Sequence, residues 1–299
     1  MLAQAGAKNW IRIALLGVIW GASFMVIEIA ITGFSALWVG AIRVTVAAIV
    51  LMIVTLISGS GLPSLEGPRA GAIWLCAFCF GILSNALPFT LLAWGQAYVT
   101  SGFAGVSMAA VPLMVLPLAH FFVEGDRLTP RKATGFAIGF AGVFLLVGQN
   151  AFVSSGNSLE TWGRLACLLT AVSYACGSIV TRVCPPVPYK SFSAAAMLMA
   201  SVTALIVALW FDGVPQKFPT IPLLSVVYLG VVPTALTTLL LVAVAREAGP
   251  SFLGLSNYMV PVWSVIFGVT LLNETMPPML LPALALILIG VAISQKWRA

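Results

Sequence analysis

Residues 101–130, SGFAGVSMAAVPLMVLPLAHFFVEGDRLTP, are echoed by residues 250–278, PSFLGLSNYMVPVWSVIFGVTLLNETMPP. Phe103, Gly105 and Pro112 in the first stretch match Phe252, Gly254 and Pro261 in the second, 149 residues further on. Past a turn carrying Asp126 or Glu274, Pro130 and Gly142 match Pro278 and Gly290 at an offset of 148. The one-residue slip falls in the turn, where a loop absorbs it. Self-similarity held in register over this length marks an internal repeat, and the chain divides into halves at residues 1–152 and 153–299.

Working outward, each half is a series of apolar stretches about as long as a bilayer is thick. A helix crosses the hydrocarbon with roughly 20 apolar residues. Ten windows qualify: 11–32, 36–57, 71–92, 99–122, 133–150, 162–183, 191–211, 222–243, 251–272 and 279–296. With 61% of the 299 residues apolar and 7% charged, too few ionisable side chains exist to coat a water-soluble globule of 31.4 kDa. Apolar runs without alternation select helices, because lipid offers no partner to an exposed backbone amide. Five spans is an odd number, so the second half enters the membrane from the opposite side. The expectation is an all-α membrane protein of ten transmembrane helices, arranged as two inverted five-helix repeats around a central cavity.

Charge sets the orientation. With the N-terminus cytoplasmic, eleven Lys and Arg fall inside, Arg164 and Lys217 outside, and Arg43 within the second span. Cytoplasmic loops carry the basic excess in such proteins, so both termini of this multi-pass membrane protein are placed in the cytoplasm. The net charge of +6 is scattered over short segments and forms no basic face for nucleic acid. Five cysteines, an odd number, and a single histidine, His120, provide neither a disulfide framework nor a metal set. No nucleophile–base arrangement or phosphate-binding loop is present, so the reading is a non-enzyme without a cofactor.

Trp20-Gly21-Ala22-Ser23-Phe24, Arg43, the helices of Pro112 and Pro261, and the turns ending in Asp126 and Glu274 resemble the drug/metabolite transporter superfamily, EamA branch. The likeness covers nearly the whole chain. In the second half Ser173-Tyr174-Ala175-Cys176-Gly177 replaces the aromatic motif, and apolar Met197 stands at the counterpart of Arg43. Within the superfamily the chain looks most like the YddG-type exporters of aromatic amino acids. The resemblance implies a secondary transporter in the inner membrane that moves small organic metabolites by alternating access, aromatic or other neutral amino acids being the expected cargo. A drug or cationic-metabolite efflux carrier and a channel-like pore are the alternatives. The partners are then a small-molecule substrate and the bilayer, with the chain a monomer and a dimer the alternative.

Polar and aromatic groups at mid-span mark the expected path, since each is costly in lipid unless it faces a cavity or a partner. Trp20, Ser23, Phe78, Asn85, Ser107, Met108, Tyr174, Ser178, Thr234, Asn257 and Tyr258 are the candidate substrate contacts. Serine and threonine hydroxyls can instead bond back to their own helix. Pro88, Pro112, Pro233 and Pro261 are candidate hinges, because proline removes a helix hydrogen bond; Pro112 and Pro261 free the carbonyls of Met108 and Asn257. Glu28 and Arg43 have similar depths in consecutive spans and are expected to form a structural ion pair. Gly135, Gly139 and Gly142 make a smooth stripe suited to close helix contact, and this stripe and the tenth span are expected to form a supporting scaffold outside the cavity, with a dimer contact as the alternative.

Overall fold

A computed structural model describes residues 6–123, 128–148, 159–247, 256–276 and 278–294. The described residues are helical, with no strand among them. In chain order the helices are α1 (Ala7–Ala30), α2 (Ala36–Ile57), α3 (Ala70–Gln96), α4 (Ser101–Phe122), α5 (Pro130–Gly148), α6 (Glu160–Val183) and α7 (Tyr189–Asp212). They continue with α8, which runs from Thr220–Gly230 into Thr237–Glu247, then α9 (Ser256–Leu271) and α10 (Leu280–Ser294). Seven of these, α1 to α4 and α6 to α8, are long and apolar enough to cross a membrane, and shorter apolar helices occupy Met259–Leu271 and Leu280–Ser294. Residues 251–255 of the ninth expected span and the turn around Asp126 lie outside the described residues.

Glycine decides the closest helix crossings. At α5 and α10, a Cβ on Gly290 would lie 2.4 Å from Gly139 N and 2.5 Å from Gly135 O, so only hydrogen fits there. Gly142 approaches Ala283 O in the same seam. The glycine stripe makes the close helix contact expected of it, and its partner is the tenth helix. Along α1, Gly17 and Gly21 accept the Cβ atoms of Met259 and Trp263 from α9.

Among the described residues two helices carry a π segment, Ile82–Ala86 in α3 and Val231–Leu236 in α8. The cause in α8 is Pro233: lacking an N–H, it cannot donate to Leu229 O, and the Thr234 hydroxyl takes over that carbonyl at 2.7 Å. In α3 the proline is Pro88, at the start of the α-helical turn after the π segment, and Asn85 Nδ2 reaches back to Phe80 O at 3.5 Å. Asn85 and Thr234 are 149 residues apart, as are Phe80 and Leu229, so the two bulges follow the register of the sequence motifs. Each bulge is also met by a side chain from the first helix of the other half. Trp20 Nε1 donates to Pro233 O at 3.2 Å, and Ser173 Oγ donates to Leu83 O at 2.7 Å.

The matching prolines Pro112 and Pro261 do not act alike. Helix α4 breaks at Ala109 and Ala110, whose amides bond three residues back to Val106 O and Ser107 O, and Pro112 opens the second piece. Pro261 sits inside an unbroken helix, with Ser264 Oγ donating to its carbonyl at 2.9 Å. The sequence leads one to expect equal hinges at these two positions, and the backbone breaks at one.

Candidate functional site

The π segment of α8 gathers several polar contacts in the bundle interior. Arg43, on α2, is 4% exposed. Its Nε donates to Thr234 Oγ1 at 3.0 Å, and its guanidinium lies over the Phe89 ring at 3.6 Å from the centroid. Tyr174, from α6, lies close enough to interact electrostatically with Arg43. Trp20 Nε1 also reaches Thr237 Oγ1 at 3.2 Å. Helices α1, α2, α3, α6 and α8 thus converge on one cluster, with α2 and α6 from different halves of the chain.

The ion pair expected between Glu28 and Arg43 does not form. Arg43 turns along its helix toward Thr234 and Phe89, while Glu28 sits beside Gln96, with its Oε2 buried and unpartnered among the described residues. Similar depth is a poor guide because it says nothing of which way each helix faces. Ion pairs form elsewhere, between Arg12 and Glu247 at 2.7 Å and between Arg164 and Glu160.

The remaining candidates separate into groups. Trp20, Tyr174, Thr234 and Pro233 belong to the cluster around Arg43. Asn85 and Pro88 belong to the other π segment. Ser23, Ser107 and Ser178 each donate to the carbonyl three residues back in their own helices, so their hydroxyls are satisfied locally. Met108 is half-buried in the core beside Phe103 and Ala104. Phe78 is 44% exposed. The side chains of Asn257 and Tyr258 lie outside the described residues. Phe89, the ring beneath Arg43, is a site residue that sequence reasoning misses. As one phenylalanine among 17 it carries no sequence signal, except that it follows Pro88.

A cavity of about 500 Å³ lies between α2, α7 and α8. Leu51, Thr55, Tyr189, Lys190, Ser193, Thr238 and Glu247 are among its lining residues. Because Glu247 is bridged by Arg12 near the start of α1, the cavity belongs to the end of the bundle that carries the N-terminal end of α1. Its inner wall includes Thr238, whose Oγ1 donates to Thr234 O at 2.7 Å, one helical turn from the Arg43 cluster. None of the nine expected substrate contacts whose side chains are described is among the residues lining this cavity.

At the opposite end, hydrogen bonds tie the helix ends and turns together among the described residues. Glu274, in the turn after α9, receives the amide of Ser101 at 2.8 Å and that of Gly102 at 3.2 Å. Gln96 Nε2 donates to Phe24 O at 2.8 Å, Trp38 Nε1 donates to Gly213 O at 2.9 Å, and Ser35 bonds Asp212. The two ends can be compared position by position. Gly81 packs against Ala196 O as Gly230 packs against Arg43 O, so Ala196, one residue from the expected Met197, matches Arg43 at an offset of 153. By these offsets the cavity-lining Ser193 and Leu239 match Gly40 and Thr90. Those two touch, since a Cβ on Gly40 would lie 2.5 Å from Thr90 Oγ1. The same pair of positions is open at one end and closed at the other.

A many-span helical bundle with a cavity toward one end and buried polar groups beside broken helices has the architecture of a membrane transporter. The chain belongs to the EamA-like transporter family, whose model matches residues 9–148 and again 161–295. It is 29% identical over 293 residues to the uncharacterized inner membrane transporter YedA of Escherichia coli (strain K12), covering 93% of this chain and 87% of that one. It is 27% identical over 293 residues to a probable terminal-alkyne amino-acid exporter of Streptantibioticus cattleyicolor, covering 95% of this chain and 92% of that one. A crystal structure of a protein with 22% identity has the same fold, with a TM-score of 0.67 over 96% of this chain and 97% of the other. The family and these named relatives are transporters, not enzymes.

Proposed function

We propose that this protein is a secondary transporter of the inner membrane that exports aromatic or other neutral amino acids by alternating access. Two inverted repeats of five helices, residues 1–152 and 153–299, form its two halves, with both termini in the cytoplasm. The observation that carries the reading is the mismatch between ends: Ser193 and Leu239 line an open cavity, whereas their counterparts Gly40 and Thr90 touch. Two halves of similar construction exchange those states at little energetic cost, because the packing given up where one end opens is recovered where the other closes. The family match in both halves and the recurrence of the π segments 149 residues apart support the repeat. The named inner membrane relative supports the location, and the named amino-acid exporter supports the class of cargo.

In this reading the described conformation accepts solute from the cytoplasmic side. The solute passes Thr238 and reaches Trp20, Arg43, Tyr174 and Thr234. Rocking of the halves then closes the Ser193 side and parts Gly40 from Thr90, with α4 bending at Ala109 and Ala110. The test is counterflow in proteoliposomes, with labelled L-phenylalanine competed by unlabelled Phe, Trp, Thr and a cationic dye. A carrier of this class gives saturable uptake accelerated by internal Phe or Trp and unaffected by the dye. Flux linear in concentration and indifferent to internal solute overturns alternating access, and acceleration by the dye alone overturns the amino-acid assignment.

A further inference from the structure

We infer that Arg43 is the receptor for the carboxylate of the transported solute, an inference that rests on the transporter reading above and specifies its substrate class as carboxylate-bearing. The argument begins with cost. A guanidinium 4% exposed within a membrane-spanning helix is expensive to bury, and an anion normally offsets it. Among the described residues no carboxylate pairs with Arg43. Its protein contacts occupy one edge and one face: Nε donates to Thr234 Oγ1, and Phe89 lies beneath the plane.

The two terminal nitrogens make no hydrogen bond among the described residues, and neither is fully enclosed. That leaves four N–H donors in a fixed planar fork, the shape that takes a carboxylate with two parallel hydrogen bonds. Thr234 and Phe89 hold the fork still, so little freedom is lost when an anion arrives. Trp20 and Tyr174 stand at the same cluster and offer apolar rings to the remainder of a solute.

Charge along the approach agrees. At the cavity wall Glu247 is matched by Arg12 at 2.7 Å, which leaves Lys190 as the cation among the described residues that line the opening. The route from cavity to cluster therefore runs from one cation to another, with Thr238 and Thr234 between them on successive turns of α8. A solute whose only charge is positive is repelled at both ends of this route. A carboxylate is attracted at both.

The experiment uses the full chain purified in detergent and matched pairs of probes: L-phenylalanine with phenethylamine, and 3-phenylpropionate with 3-phenylpropanol. Thermal stabilisation is titrated for the wild type, Arg43→Gln and Arg43→Lys. The expected result is stabilisation by the carboxylate member of each pair only. Arg43→Gln weakens it on the order of 10- to 100-fold, and Arg43→Lys recovers part of the loss, because charge is kept and the fork is not. Equal stabilisation by the members lacking a carboxylate, or by none of the four, overturns the inference in the wild type alone, whether or not the variants fold. Undiminished carboxylate binding in a folded Arg43→Gln protein overturns it as well. Arg43-dependent binding without counterflow sustains this inference and defeats the transport reading, so the two fail separately.

Discussion

Replacing Gly290 by alanine tests the seam between α5 and α10. The added Cβ would meet Gly139 N at 2.4 Å, Gly135 O at 2.5 Å and Gly139 Cα at 2.5 Å, against an ordinary contact of 3.4–4 Å. All three are backbone atoms, so no side chain can swing aside, and the helices must part by about 1 Å. Parting on that scale forfeits a quarter to a half of the dispersion attraction along the seam. Overpacking of this kind costs about 3 kcal/mol at the upper end of its range. Alanine returns about 1 kcal/mol through its higher helix propensity, leaving a net loss of about 2 kcal/mol. For a chain of this size that is a fall in melting temperature of roughly 4 °C. Gly71 is the control, because nothing lies within 4 Å of its would-be Cβ. Gly71→Ala should melt at the wild-type temperature or up to about 2 °C above it. The assay is thermal unfolding of the purified proteins in one detergent. Melting of Gly290→Ala at or above the wild-type temperature refutes the argument that these helices touch backbone to backbone.

Pro112→Ala restores an amide at the break in α4 and should lower the turnover of counterflow several-fold with insertion unchanged, whereas Pro261→Ala, in a helix already continuous, should alter it less; equal effects of the two refute the distinction. Glu274→Gln removes the charge from the bonds to Ser101 N and Gly102 N, at a cost of about 1–2 kcal/mol, and should increase labelling of a cysteine placed at Thr100. Unchanged labelling would mean that this contact does not hold the closed end. The Arg12 guanidinium holds the exposed Glu247 carboxyl below its ordinary value of 4.5. A depressed carboxylate contributes its stability above the unfolded value and loses it as pH falls through the folded one. The difference in melting between wild type and Glu247→Gln should therefore be constant above about pH 5 and shrink below about pH 4, and a difference that grows on acidification contradicts the pairing.

Helix positions are legible because lipid reduces the question to length and hydropathy. The windows 36–57 and 162–183 fall within a residue or two of Ala36–Ile57 and Glu160–Val183. The glycine stripe of α5 is legible too, since a row of missing side chains invites backbone contact whatever the partner. Ser107 and Ser178 show the limit: a hydroxyl at mid-span reads the same in sequence whether or not it bonds to its own helix, and only the fold shows that both do. Phe78 shows another, because an aromatic residue suits lipid as well as substrate, and rotation about the helix axis decides between them.

The amino-acid order alone determined a chain of membrane-spanning helices, a register of 149 residues between its halves, and the places where proline withholds a helix hydrogen bond, because each follows from local covalent chemistry in an apolar solvent. Only the tertiary structure decided that Arg43 turns to Thr234 and Phe89 instead of Glu28, that Ser193 faces a cavity while Gly40 faces Thr90, and that Trp20 caps a π segment 213 residues away. These depend on how helices rotate and cross. That choice is set by the sum of interactions over the whole bundle, which no local stretch of sequence contains.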